Sequence, residues 1–229
     1  MEQLSLIVLL LYALYEGLLH AFEADHILAV TNIVSQRNKI FPALKDGIFW
    51  GLGHTSTIFL IGILMILFKV NIPDSSFAYF EAAVGLMLVV VASYRLCVFL
   101  RDEQTLIHTH HHEHAGANKQ PHVHVHVPLK GKNLHKTSYG IGIVHGLAGS
   151  GALVVLVMTQ IETIANSLLY LLIFGIGSIV GMTIVAGVFS IPFSKKLIHS
   201  KGLRTVLVLL SSSLCFVYGC YVIYENLLA

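Results

Sequence analysis

The chain alternates between long apolar stretches and short polar connections. A helix needs about 20 mostly apolar residues to cross the hydrocarbon core of a bilayer, and six stretches meet this length. They lie near residues 4–30, 46–68, 77–99, 138–159, 165–193 and 204–225. The pattern predicts an all-α integral membrane protein with six transmembrane helices. The first stretch stays apolar from Leu4 to about Val34. Because this is longer than one crossing needs, we expect the first helix to tilt, kink or break.

Composition supports a membrane location. Hydrophobic residues make up 55% of the 229 positions and charged residues 11%, whereas an average soluble domain is about one quarter charged. So few charges cannot cover the surface of a globule of this size, which excludes an ordinary soluble enzyme, a disordered protein and a nucleic-acid-binding protein. The lipid bilayer of the cell membrane is therefore the first predicted partner, and no nucleic acid is expected.

The basic residues fall almost entirely on one predicted side of the membrane. All 14 lysines and arginines except Lys69 lie in, or next to, the connections that follow spans one, three and five. Because cytoplasmic loops are enriched in basic residues, this side is predicted to be cytoplasmic and both termini to lie outside. The predicted organisation is a three-helix membrane unit over 1–101, a cytoplasmic histidine-rich loop over 102–137 and a second three-helix unit over 138–229.

The two predicted units repeat a sequence motif. Residues 17–30 match residues 142–155, with each counterpart 125 positions later (142 − 17), and residues 51–54 match residues 175–178. Since each unit has three spans, an odd number, the two repeats would be inverted relative to each other. Many transporters have this architecture and bind their substrate near the midplane. The alternative is that membrane helices of similar composition match by chance.

The first span carries an unusual number of ionisable side chains. Such groups are costly in the hydrocarbon core, so they usually have a function. The five here are Glu16, His20, Glu23, Asp25 and His26. On a straight helix four of them share one stripe and Asp25 points away from it. Either Asp25 orients a metal ligand from outside the coordination shell, or the helix unwinds near Ala24 and brings Asp25 round beside His26. Internal polar contacts that pin helices together are the alternative to a site.

Two later spans add histidines. His54 follows Gly51 and Gly53 in span two, and His145 lies in span four at the repeat position of His20. His54 could simply hydrogen-bond a backbone carbonyl, but beside the cluster in span one we predict that it binds or relays a metal ion, with His145 as a further candidate ligand. Imidazole and carboxylate ligands without a thiolate suit Ni²⁺, Co²⁺, Zn²⁺, Mn²⁺ or Fe²⁺. The ion would be cargo and not a resident prosthetic group. The candidate metal ligands are His20, Glu23, Asp25, His26, His54 and His145.

The predicted cytoplasmic loop contains two histidine tracts. One runs from His108 to His114 and the other from His122 to His126. Such tracts bind divalent transition metals with low selectivity, and their internal, irregular arrangement is not that of an expression tag. We interpret the loop as a local metal reservoir, for which a cytoplasmic metallochaperone is a candidate partner.

The residues His20-Ala-Phe-Glu-Ala-Asp25-His26 resemble the HxxxxDH signature of the nickel/cobalt transporter superfamily. The glycine–histidine segment that ends at His54 resembles its second signature. The histidine-rich middle loop is similar to that of a short six-span branch, the urease accessory nickel permeases. The resemblance implies transport of Ni²⁺ or Co²⁺, with His20, Asp25 and His26 essential and His54 as a further functional residue. Glu23 is a departure, since the family usually has an aspartate there.

Three other functions fit parts of the sequence. An exporter on the same scaffold could use the loop to collect ions for efflux, and a membrane metal sensor would bind ions without moving them. An intramembrane serine protease needs a nucleophile and a histidine base on another span. Ser150 lies in a glycine-rich segment of span four, but the last span, 204–225, contains no histidine, which argues against a protease. Uptake of nickel or cobalt is the preferred prediction.

Deletion of residues 108–126 should leave transport intact, because the predicted site lies in the membrane spans and the loop only raises the local metal concentration. Nickel uptake at saturating metal should stay near that of the complete chain, and only the apparent affinity or its regulation should change. Initial uptake rates over a range of nickel concentrations measure both quantities. Loss of uptake at saturating nickel would show instead that the histidine tracts belong to the transport path.

Overall fold

The structure is a computed structural model that describes residues 2–37, 39–70, 72–105, 134–161, 163–194 and 201–228. All regular structure in these residues is helical, which confirms the predicted all-α class. The helices are α1 (Glu2–His20), α2 (Ala24–Val34), α3 (Ile40–Phe68), α4 (Asp74–Thr105), α5 (Leu134–Gln160), α6 (Ile164–Ser190) and α7 (Lys201–Leu227), with a 3-10 turn at Ile191–Phe193. Both histidine tracts of the predicted loop lie outside the described residues.

Four of these helices are long and apolar enough to cross a membrane, namely α3, α4, α6 and α7. The pair α1 and α2 meets the same criterion as a fifth, broken span. Within the described residues the structure thus gives four or five candidate spans by length and composition, where the sequence predicts six. The remaining long helix, α5, coincides with the fourth predicted span at 138–159.

The first predicted span is broken rather than tilted. α1 ends at His20 and α2 begins at Ala24, with the two axes bent by 55°. A tight turn joins them, because the backbone N–H of Glu23 donates to the carbonyl of His20 over 3.1 Å. The extended backbone of Glu23 then restarts the helix. The structure therefore has the unwinding near Ala24 that was one of the two alternatives for this span, and Asp25 lies in the first turn of α2.

The bundle is organised around α3, which packs against α5 on one side and α6 on another. α1 packs along α6, α4 packs along α7, and the short α2 contacts α4, α6 and α7. Buried apolar residues such as Trp50, Leu88 and Met182 form the core. Large apolar side chains such as Leu60 and Val217 point outward, as expected for helices that face lipid.

Two glycines allow unusually close helix contacts near the middle of the bundle. Gly17 of α1 lies against the backbone carbonyl of Phe174 in α6, and Gly142 of α5 lies against the carbonyl of Trp50 in α3. A Cβ atom at either position would overlap the facing backbone. Small residues at such crossings let membrane helices approach closely, and here they hold α1 and α5 against the centre of the bundle.

Substitution of Gly142 should separate α5 from α3. We expect Gly142→Ala to lower the thermal unfolding midpoint of the purified protein, since forcing a methyl group into a packed interface typically costs about 1–3 kcal/mol. Gly140→Ala is the matched control, because a Cβ at Gly140 meets nothing within 4 Å. Thermal unfolding in detergent compares the two variants. Equal midpoints would contradict the close contact at Gly142.

Candidate metal centre

The structure brings five of the six predicted ligands together. His20 is the last residue of α1, Asp25 and His26 lie in the first turn of α2, His54 lies in the middle of α3 and His145 lies in α5. The imidazoles of His26, His54 and His145 are fully buried. The break between α1 and α2 makes this convergence possible, because it turns the two parts of the motif toward α3 and α5.

The first group consists of His20, His26 and His54. One ligand atom from each residue lies within 4.8 Å of the others. The Nε2 atoms of His20 and His54 are 3.1 Å apart. The ring centroid of His26 lies 4.5 Å from that of His20 and 5.2 Å from that of His54. Three imidazoles at this spacing could hold one divalent transition-metal ion.

The second group consists of Asp25, His26 and His145, whose ligand atoms also lie within 4.8 Å of one another. Asp25 Oδ1 accepts a hydrogen bond from the backbone N–H of His26 over 2.8 Å and lies 2.8 Å from His26 Nδ1. Asp25 Oδ2 lies 2.8 Å from Nε2 of His145. A carboxylate between two imidazoles fixes the tautomer and the orientation of both rings. The geometry thus combines the two alternatives for Asp25, because the unwound helix lets it orient His26.

Three buried nitrogens of these rings have no hydrogen-bond partner among the described atoms. They are His26 Nε2, His54 Nδ1 and His145 Nδ1. Buried polar atoms in proteins almost always have a partner, so several unpaired atoms in one place call for an explanation. A neutral imidazole nitrogen is a good ligand for nickel, cobalt or zinc, so these rings retain donor atoms that a metal ion could use.

Glu23 lies at the edge of this region and belongs to neither group. Its Oε1 atom is 2.9 Å from Nδ1 of His20, and its side chain is 57% exposed. A carboxylate in this position orients His20 so that the opposite nitrogen, Nε2, points toward His54. Glu16, which shares the predicted stripe, also belongs to neither group.

Two neighbouring residues were not anticipated. Trp50 is fully buried, and its ring centroid lies 5.4 Å from that of His26 and 5.7 Å from that of His145. Glu81 of α4 is partly buried and interacts electrostatically with Asp25 and His145. Glu81 could have been found by the rule that identified the first span, since it is an ionisable residue inside a predicted span. Trp50 gives no such signal, because an apolar residue in a span is typical of packing.

The comparisons with known proteins agree with this chemistry. The sequence profile of the NicO family, described as a high-affinity nickel-transport protein, matches residues 6–214. The chain is also 34% identical over 194 residues to the urease accessory protein UreH of Bacillus sp. (strain TB-90), and the match covers 85% of this chain and 81% of that protein. No solved structure matches the chain.

Proposed function

The chain belongs to the NicO family of high-affinity nickel-transport proteins, and on this premise we propose that nickel crosses the membrane through a metal centre formed by His20, Asp25, His26, His54 and His145. The protein is a multi-pass membrane protein of nickel transport and not an enzyme, so the protease alternative does not apply. The observation that carries the proposal is the pair of three-ligand groups, which share the fully buried His26.

The ligand set favours nickel and cobalt as cargo. Four imidazoles and one carboxylate form a nitrogen-rich, borderline ligand set that binds late first-row divalent metals more tightly than Mn²⁺ or Fe²⁺. A transported ion must bind well enough to enter the site and weakly enough to leave it. A centre in which ligands can be exchanged between two overlapping groups meets both requirements. We propose Ni²⁺ as the principal cargo and Co²⁺ as the second.

We further propose that the fold consists of six spans in two inverted repeats, with α5 as the fourth span. Reciprocal helix contacts support this. Gly17 meets Phe174 while its repeat partner Gly142 meets Trp50, and Gly51 meets Ile179 while its repeat partner Gly175 meets Thr55. In each pair of contacts, the residues of the second half follow their counterparts in the first half by 125 or 124 positions (142 − 17 and 175 − 51). These are the offsets of the sequence repeat. Two matched, oppositely directed halves would bring these residues together in this way.

The proposed centre lies where the two halves meet, since His145 comes from the second half and the other ligands from the first. Alternating access would then expose the centre to one face of the membrane at a time. The distribution of lysine and arginine supports a cytoplasmic location for the connections after α2, α4 and α6, with both termini outside. In this organisation 1–101 and 138–229 are the two membrane units, and 102–137 is a cytoplasmic connection that stores metal and into which the last residues of α4 and the first residues of α5 extend.

We propose uptake as the direction of transport. The Bacillus relative is named as an accessory protein of urease. A nickel-transport protein can assist an enzyme inside the cell only by bringing metal toward it, so a similar role for this chain favours uptake over efflux. Nickel flux in membranes of defined orientation distinguishes the two directions.

Nickel flux tests the proposed route directly. Proteoliposomes that contain the complete protein and a nickel-sensitive dye should show saturable uptake, and His26→Ala should abolish it because both three-ligand groups lose a member. Deletion of 108–126 is the control, since it removes many histidines but none of the centre. Folding of each variant is checked by its thermal unfolding midpoint. Saturable uptake at the wild-type rate by His26→Ala would rule out this route.

Equilibrium binding tests the role of Asp25 separately from transport. We expect Asp25→Asn to weaken nickel binding by about 10- to 100-fold, the effect typical of losing a carboxylate that orients metal-binding imidazoles. Glu23→Gln, the matched change of carboxylate to amide at an exposed position, should have a smaller effect. Calorimetric titration of the chain without 108–126 avoids binding by the loop histidines. Equal losses in the two variants would contradict the special role of Asp25.

A further inference from the structure

A cluster of charged and polar groups joins three elements at one end of the bundle. Its centre is Asp46 of α3, whose side chain is only 1% exposed. The Arg37 guanidinium binds both carboxylate oxygens, with Nε 2.5 Å from Oδ2 and a terminal nitrogen 2.7 Å from Oδ1. His135 Nδ1 lies 2.7 Å from Oδ1, and the Ser138 hydroxyl donates to Oδ1 over 3.2 Å. We call these four residues the Asp46 cluster. It ties the connection between α2 and α3 to α3 and to the start of α5.

The Asp46 cluster lies in line with the metal centre along two helices. On α3, Asp46 precedes His54 by eight residues, or about 12 Å at 1.5 Å per residue. On α5, His135 precedes His145 by ten residues, or about 15 Å. These spacings correspond to about two turns on α3 and nearly three turns on α5. Asp46 and His54, and likewise His135 and His145, therefore lie on adjacent faces of their helix. The cluster therefore lies between the metal centre and the end of the bundle at which both helices begin.

Trp50 fills the space between the cluster and the centre. It lies four residues from both Asp46 and His54, on the same side of α3. Its indole packs beside the rings of His26 and His145 and is fully buried. Trp50 and then the Asp46 cluster therefore follow one another along α3 from the centre toward this end.

The side chains around the centre are buried to different degrees. The side chain of Asp25 is 21% exposed and that of Glu23 is 57% exposed, whereas His26 and His145 are 1% exposed. The structure thus encloses the centre unequally. Unequal enclosure of the site is what alternating access requires of a carrier in either of its two end states.

We propose that Trp50 and the Asp46 cluster form the inner gate of the transporter, which keeps the metal centre closed at the α2–α3 end and opens to release nickel there. This inference rests on the proposed route through the centre. Buried ion pairs contribute little net stability but can specify one arrangement of a protein over another. A cluster that joins three elements can separate and form again as those elements move, which is what a gate requires.

A second polar contact at the same end provides a matched control. Arg95 of α4 donates from Nε to the hydroxyl of Ser35, at the end of α2, over 2.6 Å. Both residues are buried, but this contact joins α2 to α4 and does not lie between α3 and α5. Ser35→Ala therefore removes a buried polar contact at this end without opening the proposed gate.

The test compares nickel flux through Asp46→Asn, Trp50→Ala and Ser35→Ala, each with and without His26→Ala, in proteoliposomes of the complete protein. Carrier flux saturates with nickel concentration and should disappear with His26→Ala. Both gate variants should add a component that rises linearly with nickel, roughly tenfold above that of Ser35→Ala, a change that corresponds to about 1.4 kcal/mol. This component should persist with His26→Ala, because it no longer depends on binding at the centre.

The outcomes separate the two proposals. Saturable flux through the single variant His26→Ala would overturn the proposed route. The gate would still be tested in that case, because the linear component of the flux is measured separately. Linear components in the gate variants no larger than in Ser35→Ala, at equal amounts of folded protein, would overturn the gate. If Trp50→Ala does not fold, the double variant Arg37→Gln/Asp46→Asn replaces it, since it removes both charges and leaves neither buried without its partner. Thermal unfolding and nickel binding of each variant show whether a change is merely structural.

Discussion

The structure depends on one carboxylate held between two buried imidazoles. Asp25 cannot be placed in the interior of a membrane protein without compensation, because a buried charge without partners is strongly disfavoured. Here its two oxygens contact His26 and His145 at 2.8 Å, and one of them also accepts the N–H of His26. Its place in the first turn of α2 adds the favourable interaction of a negative charge with a helix N-terminus. An unbroken first helix would offer no N-terminus at this position, so the break and the site require each other.

The close packing of glycines brings the remaining histidines to this carboxylate. Gly53 precedes His54 and packs against the carbonyl of Tyr139, while Gly146 follows His145 and packs against the carbonyl of His54. These contacts let the backbones of α3 and α5 approach each other, which places the two ring centroids 6.1 Å apart. A glycine beside each histidine is therefore a requirement of the close contact between α3 and α5.

The sequence predicts the chemistry of the metal centre better than it predicts the packing of the helices around it. The helical class, the membrane location and the nickel-transport family are confirmed, because apolar length and the HxxxxDH spacing are properties of single segments. The six spans, the inverted repeats and the orientation stay predictions. The pairing of α1 with α6 and of α3 with α5 depends on contacts between distant segments, which no periodicity reveals. The sequence does not single out Asp46, because a polar residue near the end of a span is ordinary, and its burial becomes visible only when Arg37 and His135 are folded against it.

The proposed repeat also shows why the two ends of the centre need not be closed in the same way. It pairs Trp50 with Phe174, whose ring centroid lies 5.5 Å from that of His20. It pairs Asp46 with Tyr170, which is buried in an apolar cluster with Phe174. In this pairing, aromatic residues lie on one side of the centre, and an aromatic ring followed by an ionic cluster lies on the other. Apolar contacts can separate without leaving a buried charge unpaired. Separation of the Asp46 cluster leaves the buried carboxylate of Asp46 without its partners. An unequal resistance to opening would follow from this difference, and with the proposed gate it favours the state in which the α2–α3 end is closed.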